Sequence, residues 1–140
     1  MNRAIEIGLS QIGIKEIRGR KDNPEVIKYF TEIGFDGGKF KDETAWCSAF
    51  VNWCCKKAGL EISGKLTARS WLKMGESVHS APRLGDIVVL WREDIESWKG
   101  HVGFFVRKDK NWIWILGGNQ NNEVKIKAYP QSRLLDFRRL

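Results

Sequence analysis

Histidine, proline and cysteine are all scarce in this 140-residue chain, with two, three and three copies. Each shortage narrows what the protein can be. Three cysteines are an odd number, and Cys54 and Cys55 are adjacent, so a disulfide framework is excluded. No C-x-x-C pair offers a zinc site, and a reducing compartment fits this usage best. No apolar run reaches the roughly 18 residues that a membrane span needs. The opening stretch MNRAIEIGLSQIG carries Glu6 where a signal peptide requires unbroken apolar sequence. The expectation is therefore a chain made and held in the cytoplasm, with no stable membrane insertion. Internal repeats, linkers and low-complexity segments are missing too, which leaves one domain over residues 1–140.

Basic residues are plentiful: 24 Lys+Arg stand against 17 Asp+Glu, giving +7. They are spread over RGRK, KK, RKDK and RR rather than gathered in one run. Such a balance favours acidic partners. A basic nucleic-acid-binding domain is one reading, but the cations converge on no helix and no recognisable binding motif. The apolar fraction of 42% is ordinary, and the seven tryptophans are many.

The chain divides near residue 80. Before it, helical patterns cover residues 2–13, then NPEVIKYFTEIG, with Asn23 as N-cap, Pro24 at the first helical position and Gly34 past the end. A third helix follows in ETAWCSAFVNWCCKKAG, residues 43–59, and a short one around ARSWLKMG. Beyond residue 80 the pattern is strands: DIVVLW at 86–91, HVGFFVR at 101–107, NWIWILG at 111–117, EVKIKAY at 123–129 and a closing RLLDF. Helices followed by strands predict an α+β domain with an antiparallel sheet packed on the cysteine helix. In the third strand Trp112, Trp114 and Leu116 alternate with Ile113 and Ile115, which predicts a central strand covered on both faces.

Cys47 falls at the first turn of its helix, where unpaired N–H groups and the macrodipole stabilise a thiolate. A thiol nucleophile also needs a base, and only two histidines are available. His79, in the polar connection ESVHSAP, reads as a solvated loop residue. His101 opens a strand directly after Gly100, so its imidazole stands at a strand end with room beside it. Paired with Cys47, it forms the nucleophile and base of an acyl-transfer site. A third polar group must hold the ring, and LGGNQNN ends the next strand. Asn119, just past that strand end, is the expected orienter; a turn built from Asn and Gly is the alternative use of the same residues. Cys54 and Cys55 read as buried small apolar groups, and Asp86 as a strand-start residue with a supporting role at the site as the lesser reading.

Taken in order and at these intervals, WCSAFVNW, GDIVVLW, GHVGFFV and LGGNQ resemble the CHAP and NlpC/P60 group of papain-like peptidoglycan hydrolases, over roughly residues 43–120. The resemblance implies the papain-like fold, with Cys47 matching the family nucleophile, His101 its base and Asn119 its polar third member. It implies a monomeric cysteine peptidase or amidase that needs no cofactor. The substrate would be peptidoglycan, cut between muramic acid and L-alanine, or within the stem peptide or cross-bridge. A hydrolase without export signal or wall-binding module resembles a phage endolysin, released through holin pores to reach the wall; a prophage origin or an exported toxin stays open. Two departures stand out. Trp46 precedes the nucleophile where many CHAP domains have Gln, and Lys41 stands six residues before it where papain-like proteases have Gln. The Cys47 N–H is then the first oxyanion donor and the second is unassigned. Asp36, Asp42 and Glu43 are too sparse for the calcium loop of some CHAP domains, so no metal is expected. A catalytically silent wall-binding module is the remaining alternative, and it would not need both Cys47 and His101.

Overall fold

A computed structural model describes residues 3–15, 23–35 and 46–140. Asp36, Lys41, Asp42 and Glu43, on which the oxyanion and calcium readings bear, lie outside the described residues. Among the described residues three α-helices come first: α1 (Arg3–Leu9), α2 (Pro24–Thr31) and α3 (Cys47–Lys57). The Asn23 side chain accepts the Glu25 N–H at 2.9 Å, so α2 starts at the expected cap. Gly59, at φ +74°, ends α3 as Leu60 N–H reaches back to the Cys55 carbonyl. The short helix around Trp71 is a 3-10 turn, Ala68–Lys73.

Six strands follow: β1 (Glu76–Ser77), β2 (Ile87–Trp91), β3 (Gly100–Lys108), β4 (Trp112–Gln120), β5 (Glu123–Pro130) and β6 (Leu134–Arg139). They form one sheet in the order β1-β6-β2-β3-β4-β5, with antiparallel pairing throughout. The first face, through Ile87, Val89, Val102, Phe104 and Leu116, packs on the three helices. The second face carries Val88, Leu90, Phe105, Ile113, Ile115, Tyr129 and Phe137, a cluster drawn from the strands alone.

Among the described residues no further layer covers that second face, and the sheet covers it by curling. Strands two places apart in a flat sheet stand about 10 Å from each other. Yet Phe105 on β3 and Phe137 on β6 meet edge to face at 5.4 Å, and His101 on β3 stacks on Tyr129 of β5 at 5.1 Å. Register shifts at Val89/Leu90, Phe105/Arg107 and Gly117/Gln120 give the strands their bend. The expectation for β4 holds in part. It lies between β3 and β5, but Trp112 is exposed, and Trp114 is capped by the Arg107 guanidinium 3.6 Å from its ring centre rather than by another layer.

Candidate active site

Cys47 begins α3. The cap position before it is Trp46, which makes no side-chain cap hydrogen bond, so the N–H groups of the first turn are left to face the sulfur. Trp46 serves packing instead, stacked on Tyr29 at 5.9 Å. The helix is pinned by its own sequence. Ser48 donates to the Lys65 carbonyl at 2.7 Å and accepts the Trp71 indole N–H at 3.0 Å. One turn on, the Asn52 amide bonds the Ser48 and Lys65 carbonyls and accepts the Gly64 N–H. These buried polar groups tie the loop before the 3-10 turn to the helix and so build one wall beside Cys47.

The thiol faces the backbone of Val102, the residue after His101, together with the backbone of Ser48 and of Cys47 itself. Cys47 thus meets the backbone directly after His101, where α3 packs on the start of β3. Among the described residues His79 is elsewhere, an exposed turn residue 3.5 Å from Asp136.

The ring of His101 is held by Gln120, not by Asn119 as the sequence suggested. Gln120 Oε1 lies 2.9 Å from His101 Nε2, and the Tyr129 hydroxyl 3.3 Å from the same nitrogen. The amide of Gln120 cannot turn round, because its NH2 donates to the Ile115 carbonyl at 3.1 Å and to the Lys125 carbonyl at 2.6 Å. Its oxygen therefore accepts from an Nε2–H, which fixes the tautomer and leaves Nδ1 as the basic nitrogen.

The reason Asn119 misses is a bulge. Plain alternation from Gly117 would put residue 119 on the His101 face. Asn119 instead adopts φ +56°, and the register slips between Gly117 and Gln120, so the next residue turns inward. Asn121 and Asn122, both at positive φ, then make the two-residue hairpin turn into β5. The Asn-rich turn and the orienter are both present, one residue apart. The two glycines before the bulge serve opposite faces. A Cβ on Gly117 would lie 2.7 Å from Gln120 Oε1, and one on Gly118 would strike Trp46 and Phe50 at 2.7 and 2.8 Å.

Cys47, His101 and Gln120 are 5%, 6% and 1% exposed. Burial pushes the Cys47 thiol above its ordinary pKa, against the helix-start and Val102 backbone groups that lower it. Burial likewise drives the His101 imidazole down to about 4, with Gln120 opposing and the cations Arg92, Arg133 and Lys127 adding to the fall. Burial thus favours the neutral thiol and the neutral imidazole, against the thiolate that the helix start favours.

Two cavities flank the pair and share Arg92 as a wall. One of about 170 Å³ adjoins Cys47 and runs along Leu66, Thr67, Trp98 and Gly100. The other, of about 270 Å³, adjoins His101 and Tyr129. Arg69 sets the first by bonding the carbonyls of Asp94, Ile95 and Lys99, which fastens the loop bearing Trp98. Trp98 is 69% exposed there. Asp86 is engaged elsewhere: it accepts from Arg139 at 2.8 and 3.0 Å and from the Arg83 N–H, just before β2. In the sequence Gln120 stands among the four polar residues that close the strand, whereas Tyr129 and Trp98 carry no signal there.

A family model described as the CHAP domain matches residues 39–119. Among solved structures, a protein described as similar to a lipoprotein of the NLP/P60 family, from Staphylococcus aureus subsp. aureus Mu50, superposes with a TM-score of 0.55 at 16% identity. The alignment covers 97% of this chain and 40% of that one, so this chain spans less than half of its neighbour. No curated protein sequence matches. The α+β architecture, with its six-stranded antiparallel sheet against α3, is the papain-like fold of the CHAP and NlpC/P60 group.

Proposed function

This chain belongs to the CHAP domain family, and from that premise we propose that it is a cysteine peptidase or amidase of peptidoglycan, working through Cys47, His101 and Gln120. CHAP domains act as peptidoglycan hydrolases, typically cysteine-dependent. The observation that carries the reading for these residues is the fixed tautomer of His101. An Nε2–H locked onto Gln120 leaves Nδ1 as the base, beside a thiol at the helix start.

Cys47 Sγ attacks the peptide carbonyl as its proton passes to His101 Nδ1. The N–H groups of the α3 first turn face the developing oxyanion, Cys47 N–H first among them. His101 then protonates the departing amine, leaving a thioester on Cys47. A water that gives its proton to His101 releases the acid product and restores the thiol. Gln120 accepts throughout from Nε2–H and bears no charge of its own. A net charge of +7 raises the encounter rate with an anionic wall polymer. The setting is that of an endolysin, made in the cytoplasm and acting on the wall after release. A silent wall-binding module would have no use for a buried imidazole held in one tautomer.

Turbidity loss of purified murein tests this directly. The protein should clear the suspension, and iodoacetamide or Cys47→Ala should stop it. Clearing by the Cys47→Ala variant would refute the assignment.

A further inference from the structure

The cavity beyond His101 has a lining of one sign. Arg92, Lys127 and Arg133 wall it, with the amides of Asn119 and Asn122, and among the described residues no carboxylate lines it. These cations come from separate places. Arg92 follows β2, Lys127 lies on β5 and Arg133 precedes β6, so the curl of the sheet is what gathers them. Among the described residues none of the three is in an ion pair with an acidic side chain. Lys127 lies over the Tyr129 ring at 5.2 Å. Arg133 uses Nε and Nη2 on the Trp91 carbonyl and keeps further N–H groups for a ligand. Three cations around about 270 Å³ repel one another, and an anion between them offsets that.

The site's chemistry gives this cavity a side. The acyl half of the substrate stays on Cys47, whereas the amine half must lie where His101 can protonate it. The cavity adjoining His101 therefore receives the residue that leaves. We propose that it is a subsite for a carboxylate on that leaving residue, so that the bond cut lies inside a wall peptide, directly before a residue with a free carboxylate. This rests on the hydrolase reading and sharpens it. In the amide between muramic acid and alanine, the leaving alanine has its carboxyl tied up in the next peptide bond and offers no charge. Residues within the stem peptide do include ones whose carboxylate stays free. The same three cations oppose protonation of His101, and a carboxylate seated among them removes part of that opposition as the imidazole takes its proton.

Two measurements decide it. Purified murein is digested with the full chain, the new amines are labelled with fluorodinitrobenzene, and the labelled residues are identified after acid hydrolysis. The label should fall on a residue with a free carboxylate in the intact wall; labelled alanine from the muramoyl bond overturns the proposal. Synthetic stem peptides then compare that carboxylate with its carboxamide. The acid should be preferred by about 10-fold or more in kcat/KM, the range of a hydrogen bond to a charged group. In Arg92→Gln and in Lys127→Gln that ratio should fall towards one, and in Lys127→Glu it should fall below one. Equal rates on acid and amide in the unaltered protein overturn the subsite even if every variant misfolds. If no new amine forms at all, as with Cys47→Ala, the hydrolase reading itself fails and the subsite with it.

Discussion

Gln120→Ala is the perturbation that most directly tests how the site is held. The Gln120 amide makes three hydrogen bonds, to His101 Nε2 and to the carbonyls of Ile115 and Lys125. Truncation leaves both carbonyls without that donor, at about 1–3 kcal/mol for each buried group left unpaired. Water entering from the adjoining cavity keeps the sum near the lower end, roughly 2 kcal/mol, which lowers Tm by about 6 °C in a domain of this size. Activity should fall further than stability. An unheld imidazole still visits the working orientation part of the time, so the loss should be about 10- to 1000-fold, short of the roughly 10⁴-fold seen when an ionised orienter is lost from a serine triad. The control is Asn119→Gly rather than Asn119→Ala. Asn119 sits at φ +56°, and alanine there costs about 1 kcal/mol of backbone strain that has nothing to do with the ring. Glycine keeps the bulge and removes only the amide, so murein clearing should fall no more than about 3-fold, as fits a side chain that lines the cavity without touching the imidazole. Rates come from murein clearing and Tm from circular dichroism. If Asn119→Gly loses more activity than Gln120→Ala, the bulge has been read the wrong way round and the third member is Asn119.

Four other outcomes follow from the same geometry. Cys47→Ser should abolish clearing with Tm little changed, since a hydroxyl is far too weak an acid for this imidazole; Cys54→Ser should keep activity and lose about 1–3 kcal/mol in urea unfolding, because its hydroxyl enters a fully buried apolar site. Gly117→Ala puts a Cβ 2.7 Å from Gln120 Oε1, so it should reproduce the Gln120→Ala activity loss with the amide still present, and full activity would mean that the amide has slack. The folded pKa of His101, about 4 against the ordinary 6.5, gives a sign for pH: the unfolded chain takes up the proton first, so the stability is whole above pH 6.5 and is lost as pH falls towards 4. The loss is about 3 kcal/mol at most, it should be missing in His101→Gln, and a wild-type profile as flat as that variant's would refute the burial argument.

What was legible in the sequence was whatever local chemistry decides. Asn23 and Pro24 start α2 because a cap and a fixed φ act within one turn, and Cys47 is at a helix start because the apolar spacing after it admits nothing else. His101 is the candidate base by elimination between two histidines, and its place at a strand start is what the structure shows. Long-range matters were not legible. The two-residue β1 has no pattern to show, and the cations Arg92, Lys127 and Arg133 meet only because the sheet curls. The Trp112 end of β4 looked covered on both faces because an arginine lid is invisible to hydropathy; Arg107 reaches Trp114 from the neighbouring strand. Asn119 is the expected orienter because it stands just past the expected strand end, and a single left-handed residue there turns Gln120 to the ring instead.

The choice of glutamine at position 120 follows from what surrounds it. The position must present an acceptor to His101 Nε2–H and, from the other end of the same planar group, donors to two backbone carbonyls. An amide does both. A carboxylate would hold the ring at least as strongly, but its second oxygen would face the Ile115 and Lys125 carbonyls with no proton to give, in a place that is 1% exposed. Such a group relieves the repulsion by taking up a proton, and then it no longer supplies the charge that would make it useful to an imidazole. Asparagine is one methylene shorter, and Gly117, with no Cβ in the way, is what lets the longer side chain pass. Burial favours the neutral form of thiol and imidazole alike, so in the proposed reaction a neutral orienter suffices until Cys47 attacks, and charge then develops where the first turn of α3 would meet it.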